Sequence, residues 1–145
     1  MRVVVQRVSR AAVTVGDEET GRIGPGLMLL VAMHGEENEE DLAWMVNRCV
    51  GLRIFQDDEG KMNLSLADMG GSILVVSQFT LYGDCRKGRR PSFIKAGDPA
   101  VSEKLIDGFV DMLRAEGVAV ATGRFGAMMD VELVNQGPVT LIIDR

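Results

Sequence analysis

Two short stretches hold the residues best placed to do chemistry. The first is Ser77-Gln78-Phe79-Thr80-Leu81, which follows the apolar run Ile73-Leu-Val-Val76. The apolar half reads as a core strand that turns polar at its C-terminal end. With a strand period of two, Gln78 and Thr80 face one side while Ser77, Phe79 and Leu81 face the other. Polar groups at the end of a buried strand need partners, and a ligand can be that partner. The second stretch is Asn135-Gln-Gly-Pro-Val-Thr140, between Met129–Val134 and Val139–Ile143, which both read as strands. Pro138 has no N–H for a ladder, so Gly137-Pro138 belongs at a turn or strand end. Two readings stay open. The pair is a hairpin turn, or it presents backbone free of side chains to something that must come close.

The usual means of hydrolysis are missing from the chain. No Cys/His/Asp cluster has metal-ligand spacing, and no G-x-S-x-G elbow or Gly-rich phosphate loop occurs. His34 is the only histidine, so any Ser-His or Cys-His pair would have to use it. Its place beside Gly35, at the exit of a strand, also fits an ordinary loop residue. Thr80 could in principle be a nucleophile, but no base stands near it in sequence, which favours a binding or orienting role. An enzyme built on these residues must work by positioning, with backbone N–H groups stabilising a developing oxyanion. The run Arg86-Lys-Gly-Arg-Arg90 puts four positive charges in five residues directly after this stretch. It reads either as a solvated loop or as a holder of phosphates. Asp57-Asp-Glu-Gly60 lacks the remaining EF-hand ligands and reads as a plain turn.

The elements that must position these residues follow from the pattern. Arg2–Val8, Ala11–Val15, Leu27–Met33, Leu52–Phe55, Val118–Thr122, Met129–Val134 and Val139–Ile143 read as strands, with turn-rich Gly16–Gly21 after the second. A helix is predicted over 38–51. Asn38 caps it, Glu39, Glu40 and Asp41 suit its dipole, and Leu42, Met45, Val46, Cys49 and Val50 form its apolar face. A second helix begins at Asp98-Pro99 and stops at Gly117. Gly108 inside it costs about 1 kcal/mol relative to alanine, which hints at close packing there. Asp130 and Glu132 alternate with Val131 and Leu133, so one face of that strand should be wet. The expectation is one domain over residues 1–145, of α+β class, with a mostly antiparallel, barrel-like sheet and two main helices. A 46% apolar and 26% charged composition is that of an ordinary globular chain, and no apolar run approaches a membrane span. Two cysteines make no disulfide framework, so a reducing cytoplasm is expected. A net charge of −5 argues against a general nucleic-acid binder.

Ser77-Gln-x-x-Leu81 together with Asn135-x-Gly-Pro-x-Thr140 resembles the signature pair of the D-aminoacyl-tRNA deacylases. Arg2-Val-Val-Val-Gln-Arg-Val8, Gly60–Leu66, Arg90-Pro-Ser-Phe93 and Thr122-Gly-Arg-Phe-Gly126 also look like family segments in the family's order, so the resemblance spans the chain. It implies hydrolysis of the ester joining a D-amino acid to the terminal adenosine of tRNA, and removal of glycine mischarged onto alanine tRNA. It implies catalytic roles for Gln78, Phe79 and Thr80, with the RNA's own 2′-hydroxyl helping to activate water and no metal or cofactor. Gly137 and Pro138, joined by a cis bond, would select chirality with Ser77, Asn135 and Thr140. Arg86, Lys87, Arg89, Arg90, Pro91 and Phe93 would contact the 3′ end of tRNA. The active form would be a homodimer in which the Gly-Pro pair enters the neighbouring subunit's pocket, with no membrane or DNA partner. Many family members carry an acidic residue where this chain has Gln136.

The chemistry of chirality makes that arrangement intelligible. A D-amino acid and its L-enantiomer carry the same groups, so something must occupy the space where an L side chain would project. Backbone carbonyls do this for every L residue at once and leave the site tolerant of any D side chain. Two rivals remain: a non-catalytic domain that binds an RNA end or small ligand, and a general esterase using Thr80.

Overall fold

The computed structural model describes all residues, 1–145. Its organising strand is β1 (Arg2–Val15), which runs through both expected N-terminal strands without a break. The first part of β1 pairs antiparallel with β3 (Gly26–Ala32), and the last part with β2 (Glu18–Ile23). Strand β2 occupies a segment expected to be turn, since its single buried residue, Ile23, leaves almost no apolar signal. After β3 come α1 (Glu39–Gly51), the small ribbon of β4 (Phe55–Gln56) and β5 (Met62–Leu64), and the one-turn α2 (Leu66–Met69). Strand β6 (Ser72–Ser77) joins β3 in parallel, and β7 (Ala119–Thr122), which follows α3 (Pro99–Ala115), joins β6 in parallel. Strand β8 (Asp130–Asp144) lies antiparallel along β1.

The sheet is barrel-like because its far edges approach each other. A Cβ on Gly21 of β2 would lie 2.7 Å from the Thr122 carbonyl of β7, so only glycine lets the strands come this close. One face of the sheet, through Val3, Val5, Leu29, Val31, Ile73 and Val75, packs against α1 and α3. The other face, through Val8, Val13, Met28, Leu74 and Val76, forms a second, inner core. β3 and β6 are thus buried on both sides, and both read as continuous apolar runs.

The helix signals hold. Asn38 and Asp41 form a reciprocal capping box, and Asp98 accepts from the Ala100 and Val101 amides with Pro99 first in the helix. Gly108 is different: a Cβ there would meet only Leu42, at an ordinary 3.7 Å, so no close approach requires glycine. Asp130 and Glu132 are exposed as the alternation predicts. No helix is long and apolar enough to cross a membrane.

Candidate active site

β6 ends at Ser77, because its neighbour β3 offers one last pairing at Val31 and then stops at Ala32. The backbone finds local partners instead. Gln78 N–H donates to the Val31 carbonyl (2.8 Å), and Phe79–Tyr82 coil into one 3-10 turn, in which Leu81 N–H donates to the Gln78 carbonyl (3.1 Å). The alternation expected from Ser77 to Leu81 therefore fails after Ser77. Gln78 and Thr80 still meet, because the Gln78 side-chain amide donates to the Thr80 hydroxyl across the turn. The leading N–H groups of such a turn have no partner inside it. Those of Phe79 and Thr80 are bonded to no other backbone group, and Gln78 provides no side-chain cap.

These residues border a cavity of about 600 Å³. Its walls are the end of β3 with the residue after it (Val31–Met33), Val76–Thr80, the start of α3 with Ser102 and Ile106, and the loop Phe125–Met129. None of its lining side chains titrates. Thr80 has no carboxylate or imidazole beside it, and His34 is occupied elsewhere, accepting from the Glu36 amide at Nδ1 and lying 3.5 Å from Glu37. At the mouth, exposed Phe79 meets Phe93 edge to face at 5.2 Å. Phe93 directly follows the basic loop, which is closed at its base by paired backbone bonds between Asp84 and Ser92. Arg86 folds back onto Asp84 and holds that carboxyl far below the usual range, through its side chain first and its amide second. Lys87, Arg89, Arg90 and Pro91 are exposed on the same loop.

Gly137-Pro138 is not a hairpin turn. β8 keeps one direction, and its pairing with β1 jumps from Val8–Asn135 to Gln6–Thr140, so residues 136–139 swell out as a bulge opposite Arg7. The Gly137–Pro138 bond is cis, Gly137 has φ +135°, and Gln136, Gly137 and Pro138 are exposed. Asn135 closes the bulge: its Oδ1 accepts from Val139 N–H (2.7 Å), and its Nδ2 donates to the Val139 carbonyl (3.2 Å) and the Thr140 hydroxyl (2.8 Å). Asn135 and Thr140 thus brace the loop and do not line the cavity. Arg7, buried, supports it from beneath by donating Nε to the Gln136 carbonyl (2.9 Å) and Nη1 to that of Ile54.

Arg7 escaped the sequence reading, although its signal was there. At strand period it shares the buried face of Val3 and Val5, where a charge demands a reason. The bulge is remote from the cavity of its own chain. Arg7, opposite the bulge, is four residues from Val3, which pairs with Val31 and through it with Ser77. At roughly 3.4 Å per residue this is about 14 Å along the sheet.

The profile of the family described as D-Tyr-tRNA(Tyr) deacylase matches residues 4–144. The chain belongs to that family. It is accordingly an ester hydrolase of the deacylase class. Its relatives include the D-aminoacyl-tRNA deacylases of Bacillus licheniformis, 58% identical over 99% of this chain and 98% of that one, and of Desulfatibacillum aliphaticivorans, 56% identical over 99% of both. A solved structure described as c-Myc DNA Unwinding Element Binding Protein is 38% identical, with a TM-score of 0.93 over 100% of this chain and 99% of its own. A second, described as a probable eukaryotic D-amino acid tRNA deacylase, shares the fold at a TM-score of 0.85 and 24% identity over 99% of this chain and 98% of its own.

Proposed function

We propose that the protein hydrolyses the ester joining a D-amino acid to the terminal adenosine of tRNA, and clears glycine from alanine tRNA, in the cytoplasm. The observation that carries this reading is a cavity with no titratable side chain beside the unpaired N–H groups of Phe79 and Thr80. Water attacks the ester carbonyl, and the neighbouring 2′-hydroxyl of the terminal ribose supplies the activation that no side chain can. The two N–H groups receive the oxyanion; one such donor is worth about 10²–10³ in rate in a comparable hydrolase. Phe79 and Phe93 offer a stacking edge to the terminal base. Arg86, Lys87, Arg89 and Arg90 hold phosphates.

Selection against L-amino acids falls to Gly137-Pro138. Because the pair lies far from its own cavity, the reading requires a second copy to deliver it, so the enzyme acts as a homodimer. Glycine has no side chain to exclude and passes the same filter.

The test is release of D-tyrosine from D-tyrosyl-tRNA by the purified protein with chelator present, against L-tyrosyl-tRNA. Rapid hydrolysis of the D form alone is expected. Equal rates on both would replace the filter with a general esterase, and binding without turnover would leave an RNA-end binding domain.

A further inference from the structure

Beside the active site lies a second cavity of about 540 Å³, lined by the run Leu81–Arg86 with Arg2 and Lys95. Leu81 and Tyr82 are the second half of the turn whose first half borders the first cavity, so the two are separated by a single turn of chain. The volume is within the range of about 300–1,000 Å³ usual for small-ligand sites. Its charge is unlike that of the molecule as a whole. In a chain of net charge −5, this lining sets Arg2, Arg86 and Lys95 against Asp84, and with Asp144 behind Arg2 the balance is still one positive charge in excess. Arg2 is fixed: it grips Asp144 through Nε and Nη2 (2.7 and 3.1 Å), donates Nη1 to the Leu81 carbonyl (3.2 Å), and lies 5.7 Å from the centre of the Tyr82 ring. Arg86 is oriented by Asp84, and exposed Lys95 extends the basic surface.

We propose that this cavity holds the phosphodiester backbone of the single-stranded RNA that immediately precedes the terminal nucleotide, with Lys95 and Arg86 on its phosphates. The inference rests on the reading that the terminal adenosine occupies the Ser77–Thr80 cavity. An RNA strand leaving that cavity past the turn enters this one next, before it reaches the exposed Lys87, Arg89 and Arg90. Arg2 is a positioning residue here, fastening the shared turn to the ends of β1 and β8.

Cys85 belongs to the same lining and reports on its occupancy. It is exposed, whereas Cys49 is buried with its thiol pushed up to about 12 by burial, so Cys85 is the thiol that alkylates. Iodoacetamide labelling of Cys85 in the whole protein should slow about tenfold with saturating tRNA ending in CCA. It should be little changed by tRNA lacking those three nucleotides, or by inorganic phosphate. Lys95→Gln should raise KM for D-tyrosyl-tRNA about tenfold, the loss of one charge-assisted contact, and that for D-tyrosyl-adenosine by less than about twofold. Equal protection by truncated tRNA, equal protection by phosphate, no protection, or equal loss on both esters would each overturn the proposal. If wild type hydrolyses neither ester, the deacylase reading fails instead, and the Cys85 footprint still reports whether RNA lies in the groove.

Discussion

Thr80 is the residue at which two mechanisms part. Its hydroxyl accepts from the Gln78 amide, and its cavity holds no base to take its proton. As an orienting group it contributes about one hydrogen bond, roughly 0.5–1.5 kcal/mol, so Thr80→Ala should keep kcat within about tenfold of wild type. A nucleophile has no substitute, and its loss would lower the rate by several powers of ten. Single-turnover hydrolysis of D-tyrosyl-tRNA separates the two, and an acyl group trapped on Thr80 would end the substrate-assisted reading.

At the scale of elements, the β8 bulge depends on a group far away in sequence. Arg7 is buried and serves the Gln136 and Ile54 carbonyls. Arg7→Met fills similar space but donates nothing, leaving both carbonyls short of a donor. It should destabilise the fold by about 1–3 kcal/mol for each carbonyl that water cannot reach, read from the urea midpoint. Hydrolysis of L-tyrosyl-tRNA should rise relative to the D form as the loop loosens; unchanged discrimination would mean that Asn135 alone holds it. This dependence also explains what the sequence could and could not disclose. α1 and α3 were legible because Asn38, Asp98 and Pro99 act on backbone a few residues away. The strands of the core were legible because Leu27–Ala32 and Ile73–Val76 are buried on both faces. The bulge was not, since Gly137-Pro138 suits a hairpin equally well until β1 is known to run past both halves of β8. The turn after Ser77 was hidden for the same reason: where β6 stops depends on where β3 stops.

The whole molecule raises the question of assembly. The basic loop gives one answer about its substrate: tRNA binding should weaken with salt, and neutralising Arg86, Lys87, Arg89 and Arg90 together should flatten the salt slope. An unchanged slope, read from tRNA affinity at several salt concentrations, would leave the loop a solvated surface. The site itself gives another. The cavity and the Gly-Pro bulge are about 14 Å apart along one chain at the spacing of a strand, while β8 exposes Ile142, Leu141 and Val134 and pairs only with β1. In the proposed two-fold dimer each bulge serves the other chain's cavity, and a two-fold assembly closes without further growth. Two defective variants can test this together. Phe79→Pro removes an N–H that serves no other backbone group, at the first position of a turn, where proline is tolerated. Gly137→Ala puts a methyl 2.9 Å from the Val139 side chain and 2.8 Å from Arg7 at a φ that alanine rarely adopts. Phe79→Pro alone should be nearly inactive on D-tyrosyl-tRNA for want of an oxyanion donor, and Gly137→Ala alone where the displaced wall is pushed into the cavity; a wall pushed outward would instead admit L-tyrosyl-tRNA. Mixed in equal amounts and allowed to exchange subunits, half of the dimers carry both variants. Each of those has one site with an intact turn from one chain and an intact bulge from the other, so activity should return to about a quarter of wild type. If exchange is verified by mass and no activity returns, the two elements do not share a site across subunits.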